Sequence, residues 1–521
     1  MTDKKPVIII GAGHNGLVCS AYLAKTGRKV LVLEAADRVG GAAVTREFAP
    51  GFSVSSCAHL LHLLNPRVIS ELNLEGHGMK LAARDIATTS LSIDGSPLHL
   101  HGSSATGADV TDSDRFTLPK FIKRMGKFAA LLEKYFSKTP PKFTPEWSNL
   151  KTMAGLGLDM RLMGQDEMRE LMRIIGINIY DVLQEQFESE SLKGAMGFDA
   201  VLGTHLGPRS PNSMLTWLYR LTGSVGGERG ALGVPRGGMG TVSCAIASAA
   251  EAAGVEIRNN SPVARIVLDA GVVSGVELES GEIINADLVV SNADPKTTIF
   301  KLLGAGNVEA GFAHSIHHIR TRGNAAKLHL ALNGLPDFRG VEAANLGNRI
   351  LIAPTLEYVE LAFNHAKYGE YSTQPAIEIT IPSVHDATLA PEGKHVLSAI
   401  VQYAPYELKE GWDSARETFK ERVIETISSY APGLKDRIEA AEMLTPLDLE
   451  RQFRMTGGHW HHGEFALDRF MMLRPVPDAS QYATPIPGLY FCSAGCHPGG
   501  GVMGSAGRNA ANEINAREKA A

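Results

Sequence analysis

The chain has 521 residues, of which 44% are hydrophobic and 21% are charged, and its formal net charge is −5. This length allows two or three domains, the composition is that of a globular protein, and the negative net charge argues against a nucleic-acid partner. Five cysteines in so long a chain favour a reducing compartment, so we predict a cytoplasmic protein. No apolar run approaches the ~20 residues that span a membrane.

The first predicted element is a strand, Val7–Ile10, that enters a glycine-rich turn. Gly11, Gly13 and Gly16 have GxGxxG spacing, which permits a tight turn, close approach of backbone N–H groups to a pyrophosphate, and close packing of the next helix. The phosphates would lie at that helix N-terminus, where unpaired N–H groups favour negative charge. Glu34 ends the second strand and can accept hydrogen bonds from both ribose hydroxyls, which disfavours NADP.

The segment after Glu34 distinguishes FAD from NAD. Arg38, Gly40 and Gly41 follow this acid, and the paired glycines let the chain pass against the pyrophosphate from the other side. Such an extension is a feature of the long FAD-binding fingerprint. We therefore predict FAD as the cofactor and include these three residues among its contacts.

Residues 119–138 form a predicted amphipathic helix with six basic residues and one acidic residue. Its apolar face is formed by Phe121, Met125, Phe128, Leu132 and Tyr135. One interpretation is an interfacial helix that lies on an anionic membrane, which would make the protein peripheral to that membrane. The other is a lid helix with a solvated basic face.

Two later stretches complete the predicted nucleotide domain. A glycine-rich turn at 235–240 precedes a small-residue helix and a strand in which the backbone of Val263 can read an adenine edge. A buried strand at 487–495 runs into a glycine loop and a final helix at 502–517. A helix that begins at Val502 would point its positive end at the flavin N1–C2=O edge. The predicted flavin contacts in this loop are Gly495, Gly501, Val502 and Met503.

The predicted fold class is α/β, with a Rossmann-like FAD domain built from discontinuous segments, an inserted α+β substrate domain and a helical lid. The predicted FAD-binding segments are 1–75, 225–300 and 440–521. Residues 76–224 are mostly helical by period and form the lid and part of the substrate domain. Residues 301–439 contain alternating strand-like runs and supply the substrate-domain sheet.

These three FAD-binding segments resemble the phytoene desaturase, carotenoid isomerase and retinol saturase group of FAD oxidoreductases. The loop SAGCHPGGGVMG at 493–504 stands where the group has a GAGTHPG-like loop, and 40–45 and 473–509 are most similar to the branch called pyridine nucleotide-disulphide oxidoreductase domain-containing protein two. The resemblance implies a glutathione-reductase-type FAD domain and a hydrophobic substrate tunnel that reaches the flavin. Ala42 replaces an arginine found in many relatives, and Cys496 replaces a threonine.

Candidates for acid or base chemistry are few. His59 lies in a segment that, by the resemblance, crosses near the flavin, and His497 and Cys496 belong to the glycine loop. Each histidine has the alternative of a structural, hydrogen-bonded role. The histidine-rich segment 458–462 has no carboxylate or cysteine partners at set spacing, so we predict no metal site.

The expected activity is hydride transfer between flavin N5 and a carbon of a hydrophobic substrate, such as a polyene or lipid-like molecule. Its outcome would be desaturation, saturation or redox-assisted isomerisation. Since no second GxGxxG turn follows a strand, the other redox partner is expected to be oxygen, a quinone or a visiting nicotinamide. Two alternatives stay open: a flavin amine oxidase, although 494–497 supplies no aromatic pair, and a non-catalytic FAD-binding interaction protein.

Overall fold

The structure is a computed structural model that describes residues 5–520. The strands of this part of the chain are β1 Val7–Ile10, β2 Val30–Leu33, β3 Thr45–Ala49, β4 Phe52–Ser55, β5 Leu81–Ala83, β6 Thr88–Ser90, β7 Leu98–His101, β8 Ser104–Thr106, β9 Ser224–Val225, β10 Glu228–Arg229, β11 Val234–Pro235, β12 Val255–Arg258, β13 Val263–Asp269, β14 Val272–Leu278, β15 Ile283–Asn285, β16 Val289–Ser291, β17 Ala325–Leu332, β18 Arg349–Ile352, β19 Ala376–Thr380, β20 His395–Gln402, β21 Ile438–Leu444 and β22 Leu489–Phe491.

The helices differ widely in length. They are α1 His14–Ala24, α2 Pro66–Glu71, α3 Asp112–Phe136, α4 Trp147–Leu162, α5 Gln165–Gly176, α6 Ile179–Gln186, α7 Glu190–Val201, α8 Ser213–Leu221, α9 Met239–Ala252, α10 Ala310–His317, α11 Leu356–Lys367, α12 Trp412–Tyr430, α13 Leu434–Arg437, α14 Pro446–Phe453 and α15 Ser505–Ala520. Within residues 5–520, no helix is both long enough and apolar enough to cross a membrane.

A five-stranded parallel sheet organises the nucleotide-binding half, in the order β12-β2-β1-β16-β22. Its strands come from three separated stretches of sequence, which agrees with the predicted discontinuous Rossmann-like domain. All four residues of β1 and of β2 are buried, because helices cover both faces of a parallel sheet. The α/β fold class is confirmed at this level.

The second sheet is mixed and has eight strands, in the order β21-β17-β20-β19-β18-β6-β7-β8. Neighbours pair antiparallel except β18 and β6, which pair parallel. Two details differ from the expected layout. Strands β6 to β8 come from the stretch that we predicted to be mostly helical, and the predicted boundary between 439 and 440 falls inside β21, which pairs with β17 over its whole length.

The predicted amphipathic helix at 119–138 corresponds to the last part of α3, which ends at Phe136, and its apolar side chains are at most 6% exposed. They pack in one core with side chains of α5 to α8 and α11. Side chains packed inside the protein cannot enter a bilayer at the same time. The structure therefore contradicts the interfacial interpretation of this helix and agrees with a lid helix whose basic side chains face outward.

Candidate functional site

The first glycine turn connects β1 to α1. Gly11 has φ +93°, which favours glycine, and a Cβ on Gly16 would lie 2.2 Å from the Gly11 carbonyl oxygen. Only glycine at position 16 therefore lets α1 start so close to the strand. Gly13 precedes α1, and no side chain caps this helix, so its first N–H groups are free to meet an anion.

A second glycine segment lies against this turn. The Gly40 N–H donates to the Ala12 carbonyl at 2.9 Å, and a Cβ on Gly41 would lie 3.6 Å from the Gly13 Cα. Glu34 is held at the same place, because its carboxylate accepts from the Ala12 N–H at 2.6 Å. Two glycine backbones with a carboxylate beside them form a cradle that fits the pyrophosphate and ribose of a dinucleotide.

Two predicted nucleotide contacts lie at the edge of this cradle. Arg38 is more than half exposed and donates to the carboxylate of Asp37, which directs its guanidinium toward solvent. Val263 begins β13, and the nearby Ser261 N–H donates to the Glu34 carbonyl at 2.8 Å. Val263 is thus close to the ribose acid, whereas Arg38 is occupied by Asp37. Both assignments stay predictions.

A cleft with about 1170 Å³ of empty space, part of which is open to solvent, lies where the nucleotide-binding half meets the substrate half. Its nucleotide-binding wall includes His14, Ala42, Ala43, Gly501 and Val502. Its apolar side chains include Leu60, Leu63, Leu202, Ile400, Trp460 and Phe465. The remaining wall is polar and carries Asp199, Arg220, Glu378, His59 and His62.

The C-terminal glycine loop forms one side of the cleft, but its helix begins later than expected. Gly504 has φ +74°, which interrupts a right-handed helix, and α15 starts at Ser505 instead of Val502. Gly501 has φ +115°, and a Cβ there would lie 2.7 Å from Leu63 Cδ1. Gly501 and Val502 line the cleft, whereas Met503 is buried in the core behind it.

Gly495 lies at the other end of the loop, where a Cβ would come within 2.7 Å of Pro295 Cδ. Tyr219, on α8, donates its hydroxyl to the Gly500 carbonyl at 2.6 Å. This hydrogen bond ties the helical insertion to the glycine loop. Close packing at Gly495 and the bond at Gly500 together fix the loop beside the cleft.

Two of the three predicted catalytic residues are not among the cleft-lining residues. The His497 ring is fully buried, and its Nε2 lies 3.1 Å from the Tyr135 carbonyl, so its place is structural. Burial raises the pKa of the Cys496 thiol to about 12, which disfavours a reactive thiolate at neutral pH. Both residues are fully buried and neither lines the cleft, so a catalytic role for either stays a prediction.

His59, the third candidate, lines the cleft and lies in a buried hydrogen-bonded row. Its Nδ1 lies 2.8 Å from Lys327 Nζ, and its Nε2 lies 2.9 Å from Glu378 Oε1. Burial is the main cause that lowers the pKa of His59 to about 4, so the ring is neutral at neutral pH. Lys327 then donates to Nδ1, and Nε2–H donates to the glutamate.

Arg349 links the row formed by Lys327, His59 and Glu378 to a second carboxylate. Its guanidinium donates to Glu378 and to Asp199, and its side chain is 2% exposed. The nearby Arg220 lines the cleft. Our sequence interpretation did not identify these charged residues. A signal was present, because Lys327, Arg349 and Glu378 are single charges in strands that are otherwise almost wholly apolar.

Lys327 should give the protein a measurable pH dependence of stability. Burial lowers its pKa to about 7, whereas an unfolded lysine titrates near its ordinary value. Between these two values the unfolded chain binds more protons, so this group makes the free energy of unfolding rise with pH by at most about 1.4 kcal/mol per pH unit. The Lys327→Met variant should lose this contribution, and its stability relative to the unchanged protein should fall from pH 7.5 to 9.5.

Urea denaturation of both proteins across this pH range measures the difference. Burial raises the pKa of the Cys57 thiol, which lines the cleft near Lys327, to about 12, whereas an unfolded cysteine titrates at about 8.5. Both proteins carry this cysteine, so its contribution to the pH dependence cancels from the difference between them. A difference in unfolding free energy that does not change with pH would contradict the lowered lysine pKa.

Comparison with known proteins agrees with this arrangement. The family model described as flavin containing amine oxidoreductase matches residues 16–515. Mouse (Mus musculus) pyridine nucleotide-disulfide oxidoreductase domain-containing protein 2 is 36% identical over 97% of this chain and 92% of its own. A limonene dehydrogenase chain from Castellaniella defragrans is 27% identical over 98% of this chain and 94% of its own. Phytoene desaturases of Cereibacter sphaeroides and Pantoea ananas match at 25% and 24% identity.

A structural comparison points to the same fold. The structure of putrescine oxidase bound to putrescine superposes with a TM-score of 0.61 over 99% of both chains, at 16% identity. At this identity the likeness concerns the fold alone. The predicted resemblance to the phytoene desaturase group and to the pyridine nucleotide-disulfide oxidoreductase domain-containing protein 2 branch is confirmed by the sequence matches.

Proposed function

The chain belongs to the flavin containing amine oxidoreductase family, and on this premise we propose that it is an FAD-dependent oxidoreductase acting on a carbon atom of a largely apolar substrate. FAD, when bound, would accept or donate a hydride at N5 of its ring system. The observation that carries the proposal is the cleft. The C-terminal glycine loop forms one side of it, and most of its remaining lining surface is apolar. Names of two relatives, limonene dehydrogenase and phytoene desaturase, support an apolar substrate.

The chain's own contribution would be binding and orientation. The backbone around Gly13 and Gly40 would hold the phosphates, and Glu34 would accept hydrogen bonds from the ribose. Residues such as Leu60, Leu202 and Ile400 would exclude water and fix the reacting carbon in place. Positioning of this kind supplies much of the rate of a hydride transfer, which is compatible with the small number of acid or base groups.

A proton that the reaction releases or consumes would be held by the row of His59, Lys327 and Glu378. Of these groups, His59 and Glu378 line the cleft, and Lys327 has a pKa of about 7 that lets its Nζ gain or lose a proton near neutrality. The final electron acceptor or donor would be oxygen, a quinone or a nicotinamide.

A flavin amine oxidase is the second candidate, and one observation bears on it. Tyr219 and Phe465 both line the cleft, so an aromatic pair is present even though residues 494–497 supply none. Their ring centroids are 4.3 Å apart with a 46° tilt. Rings in such direct contact leave no space between them for an amine, which makes this pair a packed wall and favours the first proposal.

The test begins with purified protein. It should be yellow and contain about one FAD per chain, and a folded, colourless protein that ignores added FAD would overturn the proposal. Anaerobic mixing with a panel of alkenes, polyenes, fatty acids and amines should bleach the flavin absorption with at least one apolar compound. Bleaching by amines alone would favour the amine oxidase.

Chemical reduction by dithionite provides the control, because it shows whether the flavin can be reduced at all. Reoxidation of the bleached protein by oxygen, a quinone or a nicotinamide would identify the redox partner. A flavin that no organic donor reduces and no acceptor reoxidises would favour the non-catalytic alternative, an FAD-binding interaction protein.

A further inference from the structure

The polar wall of the cleft contains two arginines and two acids that are close together. Asp199, Arg220 and Glu378 line the cleft, and Arg349 lies behind them. These residues come from α7, α8, β19 and β18. A charged group inside a mostly apolar cleft requires a partner, because burial of an unpaired charge is costly.

The two carboxylates already have such partners. Arg349 donates to Glu378 Oε2 through Nε and to Asp199 Oδ1 through Nη2. The other oxygen of Glu378 accepts from the His59 ring at 2.9 Å. Both acids are therefore bound by protein groups, which lowers their ability to bind a cation from the cleft.

Arg220 is held much less firmly. Its Nε lies 3.3 Å from Asp199 Oδ1 and its Nη2 lies 3.7 Å from Glu378 Oε2, and within residues 5–520 its side chain makes no hydrogen bond. The side chain is only 16% exposed, and it faces the cleft. A guanidinium has five N–H donors in a planar fork that matches a carboxylate. Most of these donors are available to a ligand in the cleft.

The charge balance of the wall does not favour a cation. The two arginines offset the two acids, and burial lowers the pKa values of His59 and His62 to about 4 and 3, so both rings are neutral at neutral pH. Lys327 adds a partial positive charge behind His59. The wall therefore has no surplus negative charge that would attract an amine.

We infer that Arg220 binds the carboxylate of the substrate, whose remaining part is apolar and occupies the Leu- and Ile-lined part of the cleft. The substrate class is thus an amphiphilic acid, such as a fatty or isoprenoid acid, and not a pure hydrocarbon or an amine. This inference rests on the proposed function, because it assigns the substrate class of the same cleft.

The experiment compares three ligands of equal chain length: decanoate, decan-1-ol and decylamine. Each is titrated into the flavin-containing protein below its critical micelle concentration, and binding is followed by calorimetry and by the change in flavin absorption. Decanoate should bind roughly 10- to 100-fold more tightly than decan-1-ol, since a charge-assisted pair forms in a desolvated site. Decylamine should not bind more tightly than the alcohol.

Two variants of Arg220 and one control test the assignment. Arg220→Met should remove the preference for decanoate and change the affinity for decan-1-ol by less than about 3-fold, because only the charged partner is lost. Arg220→Lys keeps the charge and should retain part of the preference. Arg209→Met, an exposed arginine of the same helical insertion, should behave like the unchanged protein.

The outcomes separate this inference from the proposed function. Equal affinity for the three ligands, a preference for decylamine, or a decanoate preference that survives Arg220→Met would each overturn the assignment of Arg220. None of these results changes the flavin content or the bleaching by an apolar donor, which test the proposed function. Flavin content and far-UV circular dichroism of each variant show that it is folded before its affinities are compared.

Discussion

Gly13→Val is expected to yield a folded protein that has lost its flavin. Gly13 has φ −67°, which valine can adopt, and a Cβ there would meet only the amide nitrogen of the Asn292 side chain, at 2.7 Å. This amide is the end of a side chain and can move. The branched side chain would crowd the glycine turn against which the pyrophosphate is proposed to lie. Flavin content after purification should fall from about one per chain to roughly a tenth or less.

The absorption spectrum and the protein concentration give this ratio directly, and circular dichroism checks the fold. Gly157→Val is the matched control, because Gly157 lies in α4 and a Cβ there meets no atom within 4 Å. Gly16→Val should act differently and impair folding, since its Cβ would collide with the Gly11 carbonyl. A Gly13→Val protein that keeps its full flavin content would contradict the placement of the cofactor.

The nucleotide cradle could be predicted from the sequence because the residues that form it are close together in the chain. Gly11, Gly13, Gly16 and Glu34 lie within one strand–turn–helix–strand unit, so spacing alone placed them together. The parallel sheet followed from the same logic, since an apolar strand precedes both the first glycine turn and the C-terminal glycine loop. The first and last residues of the helices and strands were less predictable. The final helix begins at Ser505 because the backbone at Gly504 adopts a left-handed conformation that the glycine-rich sequence allows but does not require.

The polar wall of the cleft could not be predicted from the sequence in the same way. Asp199, Arg220, Arg349 and Glu378 are brought together by four elements that are distant in sequence, and no spacing rule connects them. The sequence does contain one signal, which is a single charged residue within an otherwise apolar, buried strand. Such a charge must find a partner, so it predicts a buried ion pair, but only the sheet register identifies the partner.

For α3 the sequence pattern allowed an interaction, insertion into a membrane, that the structure contradicts. Its amphipathic pattern specifies that one face must be covered, and the pattern is the same for a bilayer and for a protein core. The covering elements α5 to α8 and α11 lie far along the chain, so the choice was made by tertiary packing. Periodicity identified the buried face of α3 and could not identify what buries it.

Arg474 is expected to be the most important single side chain for the integrity of the flavin loop. It is 2% exposed and donates to five backbone carbonyls, which belong to His461, Gly463, Glu464, Ala494 and Cys496. Within residues 5–520, no carboxylate lies within 4 Å of it. Its function is to join two backbone segments beside the cleft, since it satisfies carbonyls on both.

Arg474→Met should therefore lower the free energy of unfolding by about 3–5 kcal/mol, because several buried carbonyls lose their donor at once. The flavin should also dissociate at a lower urea concentration than the one that unfolds the rest of the protein, because the loop loosens first. Arg474→Lys retains the charge but not the planar fork, so its loss should be intermediate. If Arg474→Met does not fold, this lysine variant provides the measurement.

Arg322→Met serves as the control because Arg322 is an exposed arginine. A surface substitution of this kind changes the free energy of unfolding by about 0.5 kcal/mol or less. Parallel urea titrations, followed by flavin fluorescence and by circular dichroism, compare the three variants with the unchanged protein. Equal effects of Arg474→Met and Arg322→Met would show that the five carbonyls find other donors, and the two segments would then be held by packing around Phe465 and not by the buried guanidinium.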